Sequence, residues 1–329
     1  MRRSWVRFWY RTSLLGYLLA PLGFVFVLVG KCRRLCYRLG LKQVYRAPVP
    51  VIVVGNIHFG GTGKTPLVIA LANYLKRQGL KPAIVSRGYS GKSKQYPCVV
   101  TQKSDPLVVG DEPCLMARRT DCPIVIDPVR PNAIQHVIEH FQANVIISDD
   151  GLQHYAMARD IEIAVIDGQR WFGNGFCLPA GPLREPVSRL KQVDFTVVNG
   201  GSTRYHGQSY LMQLRAEQLR RVDGTDTIAE VGGFRDTTVH AVAGIGHPER
   251  FFLTLESMGI RVQRHPFPDH HHFIPSDILF NDTAPVIMTE KDAVKCWNFA
   301  NDNCWYLPVT AELEVDFLDM VSAMLGVSH

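Results

Sequence analysis

Short, almost wholly apolar runs recur through the middle of the chain: VIVVGN (51–56), PAIVS (82–86), CPIVI (122–126), NVIIS (144–148), IEIAVID (161–167) and DFTVVN (194–199). They do not alternate apolar with polar residues, so they predict strands buried on both faces, as in a parallel sheet. Between the first two, Leu67, Ala70, Leu71, Tyr74 and Leu75 fall at helical spacing over 64–78, and Gly79 follows as a C-cap residue. Strands alternating with helices predict an α/β fold with helices on both sheet faces, whose ligands bind beyond the carboxyl ends of the strands.

After Gly200 the pattern loosens for about 35 residues. It resumes with VHAVAGIG (239–246), a helix over 248–258, IRVQRHPF (260–267), APVIMTEKD (284–292) and a last helix over 313–325. The expected organisation is an amino-terminal helical segment (1–46), a parallel-sheet core domain (47–200), a linker region (201–237) and a smaller carboxyl-terminal α/β domain (238–329). The cleft between the two α/β domains is the expected active-site position.

The amino-terminal segment has its own pattern. SLLGYLLAPLGFVFVLVG, residues 13–30, is an uncharged run of 18 residues. Arg2, Arg3, Arg7 and Arg11 precede it, and Lys31, Arg33, Arg34 and Arg38 follow. As a helix it would be about 27 Å long, marginal for a hydrocarbon core of about 30 Å, and Pro21 stands near its middle. Trp5, Trp9 and Tyr10 are of the kind found at membrane interfaces. Bases on both flanks give little orientation bias, so a span and a helix lying in one leaflet both stand as readings.

Charge sharpens the picture. No Asp or Glu precedes Asp105, while residues 1–104 carry 18 of the 36 Lys and Arg residues; the remainder holds all 30 acidic side chains. A basic front suits anionic lipid, phosphate or nucleic acid, and the number alone does not choose among them. A content of 46% hydrophobic and 20% charged residues excludes a disordered chain. The eight cysteines contain no Cys-x-x-Cys pair, which argues against a zinc site or a disulfide framework.

Four places carry chemistry, and the first makes 47–200 a core domain of the P-loop NTPase type. GNIHFGGTGKTP (55–66) follows a predicted strand and opens a predicted helix, as a phosphate loop requires, although His58 stands where the usual first glycine belongs. Gly60, Gly61 and Gly63 let backbone N–H groups turn toward phosphate, with His58, Phe59 and Thr62 completing the loop. Lys64 can neutralise phosphate charge and Thr65 can ligate Mg²⁺. NVIISDDGLQH puts Asp149 and Asp150 at a strand tip, where a carboxylate holds the metal or its water; Asp149 is preferred and Asp150 stands close behind. Asp111 and Glu112 in VVGDEPCLMARR precede an apolar helix, so Asp111 reads either as a helix cap or as a base. In FPDHHHF (267–273) three consecutive histidines fan out, which suits a solvated loop, while one of them could work with a carboxylate.

These motifs, with VSRGYSGKS, DGQRWFGNGFCLPAGPLREP, AGIGHPERFF and MTEKDAVKC, resemble the tetraacyldisaccharide 4'-kinase family over essentially the whole chain and in the family's order. The resemblance implies transfer of the γ-phosphate of ATP, with Mg²⁺, to the 4'-hydroxyl of a tetraacyldisaccharide 1-phosphate. It places the enzyme at the cytoplasmic face of an inner membrane, with an acylated disaccharide lipid and the leaflet surface as partners, and implies neither nucleic acid nor a protein partner. It makes Asp111 the base and His270 its partner, one on each domain, meeting only when the cleft closes. It assigns Arg87, Tyr89, Glu112, Arg130, Gln153, His154 and Glu185 to substrate or phosphate contacts. The family usually has a small hydroxyl residue where this chain has His58, whose backbone is expected to matter more than its imidazole. The competing class is a membrane-bound P-loop ATPase switch that transfers phosphate only to water.

Overall fold

The computed structural model describes residues 8–11, 13–202, 204–205, 209–225 and 227–326. Arg2, Arg3, Trp5 and Arg7 lie outside the described residues. The chain forms two compact units that do not follow chain order: one draws on Met1–Arg87, Cys122–Gln213 and Ala311–His329, the other on Gly88–Asp121 and Leu214–Thr310. Residues 88–121, expected with the core domain on chain order, thus belong with the carboxyl-terminal sheet.

The first unit is built on the predicted parallel sheet. Strand Val51–Gly55 lies between Val145–Asp149 and Ile161–Asp167, with Pro82–Ser86 and then Ile124–Ile126 beyond the former and Phe195–Asn199 beyond the latter. All these pairs are parallel. Val51–Gly55, Pro82–Ser86 and Val145–Asp149 are buried along their whole length, which is why their sequences are apolar without alternation. Register places Val54 beside Asp149, so the end of the first strand and the two carboxylates come to one sheet edge.

Helix Leu14–Arg38 belongs to this unit and runs unbroken through Pro21, its first turn capped by Ser13, whose Oγ accepts the Gly16 amide at 3.2 Å. At 25 residues it is about 37 Å long. Only Gly16 and Gly23 are buried. A Cβ on Gly23 would stand 3.0 Å from the Cys177 carbonyl oxygen, and one on Gly16 3.2 Å from Asn174 Nδ2, so the two glycines are the contact face against the segment 174–180. Leu14, Leu18, Leu22, Phe24, Val25 and Val29 are exposed, an apolar surface suited to membrane association.

The second unit has its own sheet, ordered Ile228–Ala229, Leu219–Arg221, Cys304–Leu307, Val286–Thr289, Thr238–Ala243 and Arg261–Pro266. Strand periodicity splits its core: Val239, Ala241 and Ala243 pack with Phe252 and Leu255 of helix Pro248–Ser257, whereas Val242, Val286 and Met288 pack with Phe273 and Ala293. The loosened stretch after Gly200 contributes strand Ser209–Ala216, which pairs with Phe195–Asn199 in the first sheet, and strands Leu219–Arg221 and Ile228–Ala229 of this one. Buried, intermediate and exposed positions mix irregularly along Ser209–Ala216, which left neither a buried run nor an alternation to read.

Candidate active site

Each unit carries one site. In the first, the loop after Val51–Gly55 leads into helix Lys64–Arg77, whose N-cap Gly63 provides no side-chain cap. Gly60 and Gly63 have φ of 101° and 94°, a region in which side chains are strained. At Gly63 a Cβ would also fall 2.1 Å from Asn199 Nδ2, so the position excludes other residues twice over. The loop is braced from inside. The Asn56 amide donates to Thr62 Oγ1 at 2.9 Å and to the Gly60 carbonyl at 3.3 Å, and Asn199 Nδ2 donates to the Thr62 carbonyl at 2.9 Å. A preformed loop whose first-turn amides lack a capping side chain suits an anion.

The strand-tip carboxylates differ. Asp149 is buried and accepts the Ser86 hydroxyl at 3.2 Å, while its backbone carbonyl and that of Asp150 accept from Arg130 Nη2 at 2.9 and 3.2 Å. Asp150 has φ of 47° and is paired with Arg184 at 2.9 Å and Lys64 at 3.4 Å. Burial alone would raise its pKa, but Lys64 and Arg184 outweigh burial and hold the carboxyl below the usual range. Among the described residues no group of three or more His, Cys, Asp or Glu side chains converges as a metal cage. Two carboxylates and a hydroxyl beside an anion loop do fit Mg²⁺, which binds through one or two carboxylates plus substrate phosphates.

Other predicted residues divide into structural supports and exposed groups. Gln153 donates to the Asn56 carbonyl at 3.0 Å and to Glu185 at 2.7 Å, and Tyr155 donates to the other Glu185 oxygen at 2.7 Å. Gln153 thereby links the end of the loop strand to Glu185. His154 is half-buried, and burial, with Arg130 next in effect, lowers its pKa to about 4. Arg87 is exposed.

The second unit holds Asp111 and His270. Asp111 is the first residue of helix Asp111–Arg119, whose N-cap is Gly110. Its carboxylate accepts the Glu112 amide at 2.9 Å, so it supports the helix start without being the N-cap. The same carboxylate lies 3.0 and 3.1 Å from His270 Nδ1. His270 has φ of 58°, and Tyr89 packs edge-on to its ring at 5.0 Å. Strain of this kind in a non-glycine residue persists only where its surroundings enforce it. The expectation that the pair meets only on domain closure is corrected: residues 88–121 belong to the same unit as His270, and the pair is made within that unit. His271 instead pairs with Asp277 at 3.0 Å, and His272 is exposed.

Two residues that sequence reasoning left without a role complete this site. Lys291 lies 3.0 Å from Glu112, 3.4 Å from Asp269 and 3.9 Å from Asp111; Lys295, one turn later on helix Glu290–Cys296, lies 3.9 Å from Asp111 and 2.6 Å from Asp292. Burial would raise the Asp111 pKa, but Lys291, His270 and Lys295 together outweigh it and hold the carboxyl well below the usual range. The carboxylates around Lys291 raise its own pKa despite burial. The signal available in the sequence was the pair of lysines spaced by four in MTEKDAVKC, which puts both on one helix face.

A braced glycine-rich loop between a buried parallel strand and a helix, with lysine, threonine and strand-tip carboxylates gathered at one edge, defines a P-loop phosphotransferase. The family model for tetraacyldisaccharide-1-P 4'-kinase matches residues 15–326. The tetraacyldisaccharide 4'-kinase of Nitrosococcus oceani is 49% identical over 321 residues, 97% of this chain and 94% of that protein. That of Haemophilus influenzae is 48% identical over 309 residues, covering 93% and 91%. The solved LpxK of Aquifex aeolicus, in complex with ATP, superposes with a TM-score of 0.80 at 28% identity and covers 95% of this chain and 100% of its own. The chain belongs to the tetraacyldisaccharide-1-P 4'-kinase family and is a phosphotransferase with an alcohol group as acceptor.

Proposed function

We propose that the chain phosphorylates the 4'-hydroxyl of a tetraacyldisaccharide 1-phosphate with ATP, using Asp111 as the base and His270 as its partner. The hydroxyl proton passes to the Asp111–His270 pair as the sugar oxygen bonds to the γ-phosphorus; the bond to the β-phosphate bridging oxygen breaks and ADP leaves. A sugar hydroxyl is a weak acid, so a base placed to take its proton contributes on the order of 10²–10⁴-fold. The observation carrying this reading is the buried Asp111 carboxylate, kept ionised by two lysines and bonded to a histidine, an arrangement that helix capping alone does not require.

Gly60, Gly61, Thr62 and Gly63 supply the loop backbone for the triphosphate, Lys64 its counter-charge, and Thr65 and Asp149 the metal contacts, with Asp150 alongside. Mg²⁺, when bound, neutralises charge developing on the phosphate oxygens. The exposed apolar helix Leu14–Arg38 and the basic front of the chain support attachment to the anionic inner leaflet from the cytoplasmic face, where the lipid acceptor lies. Arg87 and Tyr89, both exposed, are assigned to substrate.

Incubation with γ-labelled ATP, Mg²⁺ and the disaccharide lipid tests the reading. Label is expected in the lipid fraction. Label appearing only as free phosphate would replace the kinase with an ATPase switch.

A further inference from the structure

The segment that precedes the apolar helix grips the phosphate loop. Trp9 is held at both ends of its residue: its indole Nε1 donates to the Pro179 carbonyl at 3.1 Å, and its backbone carbonyl accepts the Asn174 amide at 2.7 Å. Gly173, with φ of 58°, leaves room for this approach, since a Cβ there would meet the Trp9 carbonyl oxygen at 2.5 Å. Segment 174–180, which Trp9 holds, is also the seat of Gly16 and Gly23 of the helix. A shift of the helix therefore moves Trp9 and Tyr10 with their support.

Both residues reach the loop. The Tyr10 hydroxyl lies 3.2 Å from His58 Nε2, and His58 is buried. The Trp9 ring packs edge-on to Phe59 at 5.9 Å. Contacts continue inward from there. Arg184 lies over the Phe59 ring at 5.9 Å and pairs with Asp150, which pairs with Lys64. On the other side, Arg170 lies over the Tyr10 ring at 5.9 Å, donates to the Gly61 carbonyl and is fixed by Asp167 at 2.7 Å. Burial, with Arg170 adding to it, lowers the His58 pKa to about 4, so the imidazole facing Tyr10 is neutral at physiological pH.

We propose that His58 and Tyr10 couple the seating of the amino-terminal helix in a lipid surface to the shape of the phosphate loop, so that a membrane-seated enzyme binds ATP more tightly. This gives the imidazole a positioning role, in place of the bystander role expected from the sequence. The inference rests on the ATP-binding and membrane readings above.

The test measures the dissociation constant of a fluorescent ATP analogue with Mg²⁺ on the full chain, in dodecyl maltoside micelles and in phosphatidylethanolamine/phosphatidylglycerol vesicles. Wild type is expected to bind at least about threefold tighter in vesicles, the scale of one hydrogen bond. Tyr10→Phe, which removes one oxygen, and His58→Ala are each expected to abolish most of that gain, and the double variant to lose no more than the worse single one. An equal vesicle response in wild type and both variants, no response in wild type, or losses that multiply in the double variant would overturn the coupling. A wild type that binds the analogue in neither medium would defeat the ATP reading and the coupling with it; binding without a vesicle response defeats the coupling alone.

Discussion

Both sites set a lysine beside an aspartate, and the difference between the two pairs separates an exchangeable lysine from fixed ones. Lys64 lies 3.4 Å from Asp150, but Asp150 has a second and closer cation in Arg184 at 2.9 Å. Lys64 can therefore turn to a phosphate without leaving Asp150 uncompensated. Asp111 sits deeper, with a side chain 3% exposed against 33% for Asp150, and its lysines are themselves anchored, Lys291 by Glu112 and Asp269 and Lys295 by Asp292. Their charges are fixed in place, and a buried carboxylate requires such permanence. An exchangeable lysine belongs where an anion arrives; a fixed pair of lysines belongs where a carboxylate must stay ionised. Each site also holds one non-glycine residue in the left-handed region, Asp150 at φ 47° and His270 at φ 58°, so both spend backbone strain on orienting a charged group.

The sharpest way to break the comparison is at the exchangeable lysine. Lys64→Ala is expected to lower kcat/KM by about a thousandfold, through lost charge stabilisation of the transferring phosphoryl group. Melting should change little, because Arg184 still compensates Asp150. Steady-state transfer kinetics beside thermal unfolding checks both halves, and an unaffected rate would mean that the loop does not hold the triphosphate.

Asp111→Ala comes next. Turnover is expected to fall by about a hundredfold, the usual scale of a general base, with ATP affinity nearly unchanged. Titration with a non-hydrolysable ATP analogue separates the two effects. Near-normal turnover would return Asp111 to its part in starting helix Asp111–Arg119.

The residues that could be read from sequence are those whose role is local. Buried parallel strands announce themselves by unbroken apolar runs, and the phosphate loop by Gly63-Lys64-Thr65 after one of them. The apolar helix was legible too, but not the use of Gly16 and Gly23 as its contact face, since that depends on residues 174–180 far along the chain. Asp111 was open between cap and base because both readings share one local pattern; His270, whose contact supports the base reading, lies 159 positions away. Lys291 reaches Glu112 across 179 positions and was invisible for the same reason. Residues 209–216 escaped because the strand is only partly buried, so its polar and apolar positions follow no simple period.

The smallest of these effects probes the fixed pair. Lys291→Met removes one of the two lysine charges facing Asp111 while filling much of the same space, leaving Lys295 as the remaining lysine and His270 as the hydrogen-bond partner, with Glu112, Asp269, Asp292 and Cys114 also nearby. Burial, the largest influence on Asp111, raises its pKa and is then less opposed, so the carboxyl takes up a proton at higher pH. In wild type Asp111 stays ionised below the usual carboxylate range, and turnover should not fall on its account as pH drops toward about 5. In the variant the acid limb should move up toward the usual carboxylate range, so the variant loses turnover at a higher pH than wild type, while turnover at pH 7 changes little. Stability follows the same sign. A depressed Asp111 stabilises the fold above its unfolded pKa and loses that contribution only as pH falls through its folded pKa, so raising the folded pKa shrinks the contribution and lowers the melting temperature at neutral pH. Lys291→Arg keeps the charge and should restore the pH profile toward wild type; a shared acid limb in wild type and Lys291→Met would show that Lys295 and His270 alone hold Asp111 ionised.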